Sequence, residues 1–271
     1  SSWSSVSADG SHTMAIRSDN TLWGWGWNGS GQLGQNNTTN YSSPVQVGTS
    51  SWISVSAGGS HTMAIRSDNT LWGWGFNLYG QLGQNNTTTR SSPVQVGTSS
   101  WSSVSAGGPN GLHTVAIRSD NTLWGWGANG SGQLGQNNTT AYSSPVQVGT
   151  SSWSSVSSGE DHIMAIKPNG TLLAWGDNSV GELGQNNITN YSSPVQVGTS
   201  SWTSVSSGSS STMAIRSDGT LWGWGVNSSG ELGQNNITNY SSPVQVGTST
   251  WTSVSAGGNG FFTQGFIMAI R

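Results

Sequence analysis

The chain has 271 residues, a net charge of -3 and 6% charged residues, and its length fits one large all-β domain. Its seven Lys and Arg residues are spread singly, so we expect no nucleic-acid partner, because such binding depends on clustered cations. The absence of Cys excludes disulfides and thiolate zinc sites, and no apolar run is long enough for a membrane helix, so we expect no membrane insertion.

The chain consists of repeats that begin at a Trp before each Ser-Val-Ser. The starting residues lie 49 residues apart, except for one interval of 52, and are Trp3, Trp52, Trp101, Trp153, Trp202 and Trp251. Five repeats are therefore full and the sixth is partial. We predict a single domain over residues 1–271, and we expect the chain to be processed or to be one piece of a longer one.

Each repeat predicts four short strands in chain order. A β-favouring "WSSVSA" segment comes first, and "HTMAIR" then alternates in polarity. Ser-Asp-Asn or Ser-Asp-Gly closes a hairpin onto "TLWGWG". A long polar loop then leads to "SPVQV" as the fourth strand. No segment has the apolar period of a helix, so the fold class is all-β.

The third strand has two different faces. Trp23 and Trp25 project together because residues two apart on a strand share a face, and Gly24 and Gly26 lie opposite. We expect the bare glycine face to let a neighbouring sheet approach closely. Four short strands in a unit of this length are typical of a β-propeller blade.

The repeat "SVSAGGSHTMAIRSDNTLWGWG", followed by Gly-Gln-Leu-Gly and Ser-Pro-Val, closely resembles the repeat of the regulator of chromosome condensation family. The resemblance covers essentially the whole chain and implies a propeller, usually of seven blades. It does not imply one function, because the family includes a nucleotide exchange factor, a plant UV-B photoreceptor and a secreted β-lactamase inhibitor. The sequence has no long inserted wedge and no basic patch, which disfavours the exchange-factor role.

The number of blades depends on where each blade begins. If the long polar loop connects one blade to the next, a blade runs from "SPVQV" to "TLWGWG", which predicts about six four-stranded blades with an imperfect seam. The alternative is part of a seven-bladed ring. An unpaired edge attracts another strand, so we expect residues 252–270 to pair with the strands near Trp3 or with another chain, giving self-association through the C-terminal edge.

Two sets of polar residues are candidates for chemistry. His12, His61, His113 and His162 share one repeat position, and we interpret them as structural residues that bond the backbone between strands. Glu160, Asp161, Asp177 and Glu182 form the single acidic cluster, and a hydrolase site in this fourth repeat is an alternative. We expect no catalytic residue, no metal and no cofactor.

Five aromatic residues depart from the repeat and are the predicted binding residues. Trp27 and Tyr79 lie in the loops after two third strands, and Phe261, Phe262 and Phe266 lie in an insertion near the C-terminus. Variable aromatic loops on a constant scaffold suit a protein or glycan partner. We predict a non-enzymatic binding or display scaffold for adhesion or recognition at a cell or virus surface or outside the cell. A secreted protein inhibitor of an enzyme is the alternative.

Overall fold

The computed structural model describes residues 2–259 and 262–271, and every regular element within them is a β-strand. Contacts divide the chain into two compact units. Unit 1 comprises Ser1–Ala128 and Ala141–Gln147, and unit 2 comprises Asn129–Thr140 and Val148–Arg271. No helix in the described part of the chain has the length and hydropathy of a membrane span.

The strands of the first half of the chain pair antiparallel with their neighbours in chain order. The first sheet contains β1 (Trp3–Asp9), β2 (His12–Arg17), β3 (Leu22–Gly26) and β4 (Tyr41–Gln46). The second contains β5 (Trp52–Ala57), β6 (His61–Arg66), β7 (Thr70–Gly75), β8 (Arg90–Ala106), β9 (His113–Arg118), β10 (Thr122–Gly127) and β11 (Tyr142–Ser152). The long strand β8 joins two blades, because its first half pairs with β7 and its second half with β9.

The strands of the second half of the chain repeat this arrangement. One sheet contains β12 (Ser155–Ser158), β13 (His162–Ile166), β14 (Thr171–Gly176), β15 (Tyr191–Ser207), β16 (Ser211–Arg216), β17 (Thr220–Gly225) and β18 (Tyr240–Thr250). A last hairpin contains β19 (Ser253–Asn259) and β20 (Phe262–Ile270). These all-β, antiparallel blades confirm the predicted fold class of a β-propeller, and the number of blades in a complete ring stays a prediction.

The predicted start of each blade was wrong. The "SPVQV" strand pairs with the third strand that precedes it, with Trp222 opposite Gln245 and Gly223 opposite Val244. The long polar loop folds back onto its own blade, because Asn28 Nδ2 donates to the carbonyl oxygens of Asn37 and Thr39, each at 3.0 Å. A blade therefore runs from "WSSVS" to "SPVQ", and the short Gly-Thr-Ser link makes the crossover.

The two Trp residues of each third strand have different surroundings. Trp74 is 0% exposed and packs with Trp52 on Leu33 and Val47 of the preceding blade, whereas Trp72 is only partly buried at the margin of that cluster. The expectation for the glycine face holds at one of its two glycines. A Cβ at Gly73 would lie 2.8 Å from the sulfur of Met63 in the same blade, whereas a Cβ at Gly75 would lie 3.2 Å from the Cβ of Gln32 in the preceding blade.

Gly83 provides a test of how tightly the blades pack. Its φ is +69°, and a Cβ there would lie 3.0 Å from Trp126 Nε1 of the next blade. We expect Gly83→Ala to lower the free energy of unfolding by about 2–4 kcal/mol, from backbone strain and overpacking together. Gly97 is the matched control, because its φ is +55° but no atom lies within 4 Å of the added Cβ.

Gly97→Ala introduces backbone strain without overpacking, so it should lower the free energy of unfolding by only about 1 kcal/mol. Chemical denaturation of the two variants beside the parent measures both values. Equal losses for the two substitutions would show that close approach of Trp126 to Gly83 does not limit the packing.

Candidate binding surface

The loop after each third strand is held rigidly by a buried Asn together with a Gln in the first three blades and a Glu in the fourth and fifth. In the second blade, Asn77 Oδ1 accepts the backbone N–H of Leu82 at 2.9 Å, and Asn77 Nδ2 donates to the Thr88 carbonyl at 3.0 Å. Gln81 Oε1 accepts the N–H of Tyr79 at 3.1 Å. Because these bonds fix the loop backbone, the side chains between Asn77 and Gln81 point outward on a preformed platform.

Two of the predicted binding residues lie at these loops in unit 1: Tyr79 is on the platform, and Trp27 directly precedes Asn28, the equivalent of Asn77. Trp27 is 40% exposed and Tyr79 is 49% exposed. Leu78, which the sequence analysis missed, is 63% exposed, and Phe76 is half-buried at the position equivalent to Trp27. The signal for Leu78 was present in the sequence, since other repeats have Gly or Ser at that position. Together these four residues form what we call the apolar loop surface.

The three predicted Phe residues cannot be placed in the same way. Phe261 lies outside the described residues, and the side chains of Phe262 and Phe266 also lie outside what is described. The backbone of β20 is defined, with Phe266 opposite Gly257 and Phe262 opposite Asn259. The roles predicted for the three rings, in binding and at a C-terminal seam, stay predictions.

The four residues of the acidic cluster lie in unit 2, and hydrogen bonds engage several of them. Asp161 Oδ1 accepts Gln133 Nε2 at 2.7 Å, and Asp177 Oδ2 accepts the Ser179 hydroxyl at 2.8 Å. Glu182 Oε2 accepts the N–H of Val180 at 2.9 Å, and the Glu182 side chain is 1% exposed. The cluster is therefore a set of loop contacts with one deeply buried carboxyl.

Burial changes the proton affinity of this cluster. Burial, followed by the charges of Glu160 and Asp177, raises the pKa of Asp161 to about 7. Burial also raises the pKa of Glu182 to about 7. Burial acts to raise the pKa of Asp177 too, but hydrogen bonds from Ser179, Glu182 and Asn190 outweigh it and hold that pKa below its usual value. Near neutral pH, two carboxyls of the cluster are thus partly protonated.

Glu182 belongs to the junction between the fourth and fifth blades. Its carbonyl oxygen accepts Trp224 Nε1 at 2.8 Å and the Thr212 hydroxyl at 3.0 Å. The Gln32 carbonyl oxygen has the same role between the first and second blades, where it accepts Trp74 Nε1 at 2.8 Å. Within residues 2–259 and 262–271, no group of three or more His, Asp or Glu is arranged to hold a metal ion.

The repeated His residues make contacts between blades that the sequence analysis did not foresee. His61 Nε2 lies 3.1 Å from the Thr114 hydroxyl, and His162 Nε2 lies 3.1 Å from the Thr212 hydroxyl. For His12, His61 and His162 the predicted bond to the backbone was wrong, because the Nε2 partner is a Thr side chain of the next blade. Burial lowers the pKa of His162 to about 4 and, with the charges of neighbouring His residues, that of His61 to about 3.

Comparison with known proteins gives a family and a fold. A family model described as an RCC1-like domain matches residues 1–263. A comparison with curated protein sequences gives no match.

Several solved structures are similar. Human WBSCR16 superposes with a TM-score of 0.87 and 20% identity over 99% of this chain and 72% of that chain. A structure of Kap60 bound to yeast RCC1 (Prp20) gives a TM-score of 0.83 and 20% identity, over 94% of this chain and 66% of that chain. Prp20p from Saccharomyces cerevisiae gives 0.64 and 17%, over 98% and 82%. At these identities the likeness shows the fold alone.

Proposed function

The chain belongs to the RCC1-like domain family, and from that premise we propose that it is a protein-binding scaffold whose partner docks on the apolar loop surface. One observation carries the proposal: loops that are nearly identical elsewhere expose Trp27, Leu78 and Tyr79 in unit 1. Large apolar side chains exposed on a rigid, polar loop lower the solubility of a protein. Residues of these types also anchor protein interfaces.

The properties of relatives are consistent with a scaffold. Prp20p has binding properties toward Gsp1p and histones, and yeast RCC1 (Prp20) forms a complex with Kap60. The proposal includes a non-catalytic role, which is supported by the use of the buried His residues and of Glu182 in contacts between blades. We further propose an extracellular or particle-surface location, supported by the low content of charged residues.

The experiment replaces the exposed residues by those of other repeats. Trp27→Ala, Leu78→Ser and Tyr79→Ser introduce residues found at the equivalent positions Ala128, Ser179 and Ser131, so the loops should fold unchanged. A partner is captured with the parent chain from an extract of the source organism and then purified. Its affinity for the triple variant should fall at least about 100-fold, because each anchor contributes about 1–2 kcal/mol.

A matched control removes other exposed apolar side chains. Ile188 and Ile237 are 66% and 70% exposed in unit 2, and the repeat residue at their position is Thr. The double variant Ile188→Thr, Ile237→Thr should bind the purified partner as the parent does. Unchanged affinity of the triple variant, or an equal loss in the control, would contradict docking on the apolar loop surface.

A further inference from the structure

A stacked cation recurs at the last residue of the second strand in four repeats. The Arg118 guanidinium carbon lies 3.6 Å from the ring centre of Trp124 and 5.2 Å from that of Trp101. Asp120 is the carboxylate whose charge acts on Arg118, but that carboxylate accepts hydrogen bonds from Thr122, at 2.6 Å from the hydroxyl. Stacking fixes the plane of the guanidinium and leaves its edge available to a planar anion.

This cation forms part of the wall of a groove in unit 1. The groove has a volume of about 330 Å³ and lies between the second and third blades, with Gln84, Asn85, Ser99 and Ser144 among its lining residues. Asn85 and Ser144 come from different blades, and the Ser144 hydroxyl donates to Asn85 Oδ1 at 3.2 Å. The lining therefore combines one cation with neutral amides and hydroxyls.

Two donors at the groove have no acceptor within the part of the chain that the structure describes. Trp101 is 1% exposed and lines the groove, and its Nε1 has no hydrogen-bond partner within the described residues. Arg118 Nε is likewise buried without a partner in the described chain. By contrast, Trp126 Nε1 at the same junction donates to the Gln81 carbonyl at 2.8 Å. Buried donors are normally paired. The Nε1 of Trp153 is unpaired too within the described residues, so the unpaired Arg118 Nε, which the fourth repeat lacks, is the feature that points to an acceptor from outside the chain.

We propose that this groove binds the carboxylate of a hydroxylated small molecule, such as an acidic sugar. The edge of the Arg118 guanidinium binds the carboxylate, because a guanidinium donates two parallel N–H···O hydrogen bonds to a carboxylate in a bidentate pair. Gln84 Nε2 already donates to the Gln95 carbonyl at 2.9 Å, and the Ser144 hydroxyl donates to Asn85. Gln84 Oε1, Asn85 Nδ2 and the Ser99 hydroxyl therefore supply the acceptors and donors for ligand hydroxyls, which a bare anion would leave unused. This inference is independent of the proposed protein partner, whose surface lies on the loops after the third strands.

The repeat predicts how many such sites exist. The same stack occurs at Arg17 on Trp23 at 3.7 Å, at Arg66 on Trp72 at 3.5 Å, and at Arg216 on Trp222 at 3.5 Å. The Gly-Thr-Ser segment beside Ser99 recurs beside Ser50 and Ser200, but none precedes Trp3, which stacks with Arg17, in this sequence. The fourth repeat differs, with Lys167 in place of Arg and Leu173 in place of the stacking Trp. We therefore expect three sites and no site beside Lys167.

Calorimetric titration with glucuronate tests the proposal, with glucose and acetate as parallel probes. Glucose has the hydroxyls without the charge, and acetate has the charge without the ring. We expect glucuronate to bind with a Kd at least about tenfold lower than either probe, at a stoichiometry near three. Binding of acetate as tight as glucuronate would overturn the hydroxylated ligand, and no heat from glucuronate would overturn the site.

Variants locate the binding. Ser99→Glu places a competing carboxylate in the groove without touching the stack, and it should remove one site of the three. The triple variant with Ser50→Glu and Ser200→Glu should remove all of them. Ser151→Glu, at the equivalent position beside Lys167, should change nothing.

A second variant tests the same site without adding a Glu, in case the added Glu disturbs folding. Arg118→Lys with Trp124→Leu reproduces the residue pair of the fourth repeat, which the fold tolerates. It too should lose one site while its melting temperature stays close to that of the parent. Retention of all sites in both variants would overturn the assignment to Arg118.

Discussion

Replacing Trp74 by Ala should lower the free energy of unfolding by about 3–5 kcal/mol, the range measured for buried aromatic residues. Trp74 is 0% exposed and packs across the junction of the first two blades. The substitution leaves a cavity, and it deprives the Gln32 carbonyl of the Trp74 Nε1–H that it accepts at 2.8 Å. Denaturant titration followed by circular dichroism measures the loss.

The neighbouring Trp of the same strand provides a matched control. Trp72 is only partly buried, stacks under Arg66 at 3.5 Å and donates from Nε1 to the Thr70 hydroxyl at 2.8 Å. The fourth repeat has Leu173 at this position. Trp72→Leu should therefore cost only about 1 kcal/mol, from the lost stack and surface hydrogen bond. Equal losses at the two positions would contradict the different roles assigned to them.

Replacing Glu182 by Gln should stabilise the protein at pH 8 and leave its stability nearly unchanged at pH 4. Burial raises the pKa of Glu182 from its usual 4.5 to about 7 in the folded state. The folded chain therefore favours the protonated carboxyl, and this contribution is fully present below pH 4.5 and is lost as pH rises through 7. Gln32, Gln81 and Gln133 occupy the equivalent positions, so the substitution fits the loop.

The difference in unfolding free energy between the variant and the parent should grow to about 2–3 kcal/mol by pH 8. Taking this difference at each pH removes the opposing effect of the buried His residues, whose lowered pKa values destabilise the folded chain in acid. A difference that stays constant between pH 4 and 8 would contradict the raised pKa of Glu182.

Asp120→Asn is a control whose effect on stability should change with pH in the opposite direction from that of Glu182→Gln. The Thr122 hydroxyl and the Thr122 backbone N–H hold the pKa of Asp120 below its usual value. The stability that this carboxylate contributes is present above its unfolded pKa and is lost as pH falls. The Asn variant should therefore be slightly less stable than the parent at neutral pH and converge with it in acid.

The sequence alone determined the local features of the chain. The 49-residue period, the alternation of "HTMAIR" and the Ser-Asp-Asn turns located the strands, because strand faces and tight turns depend on residues close in sequence. The same reasoning identified Trp27 and Tyr79 as residues outside the repeat, and both are exposed. It also identified the fold class, because four short strands recur in each repeat.

The tertiary structure decided what depends on neighbours distant in sequence. The pairing of "SPVQV" with the preceding strand follows from bonds such as that from Asn28 to Thr39, which close the long loop. The alternation of Trp with Gly placed the rings of Trp72 and Trp74 on one face of the strand. Packing against the preceding blade then buried Trp74 completely and left Trp72 partly exposed. Glu182 and Gln133 differ by one functional group in the sequence. Burial beside Asp177 then raises the pKa of Glu182, because desolvation of a carboxylate depends on the three-dimensional surroundings.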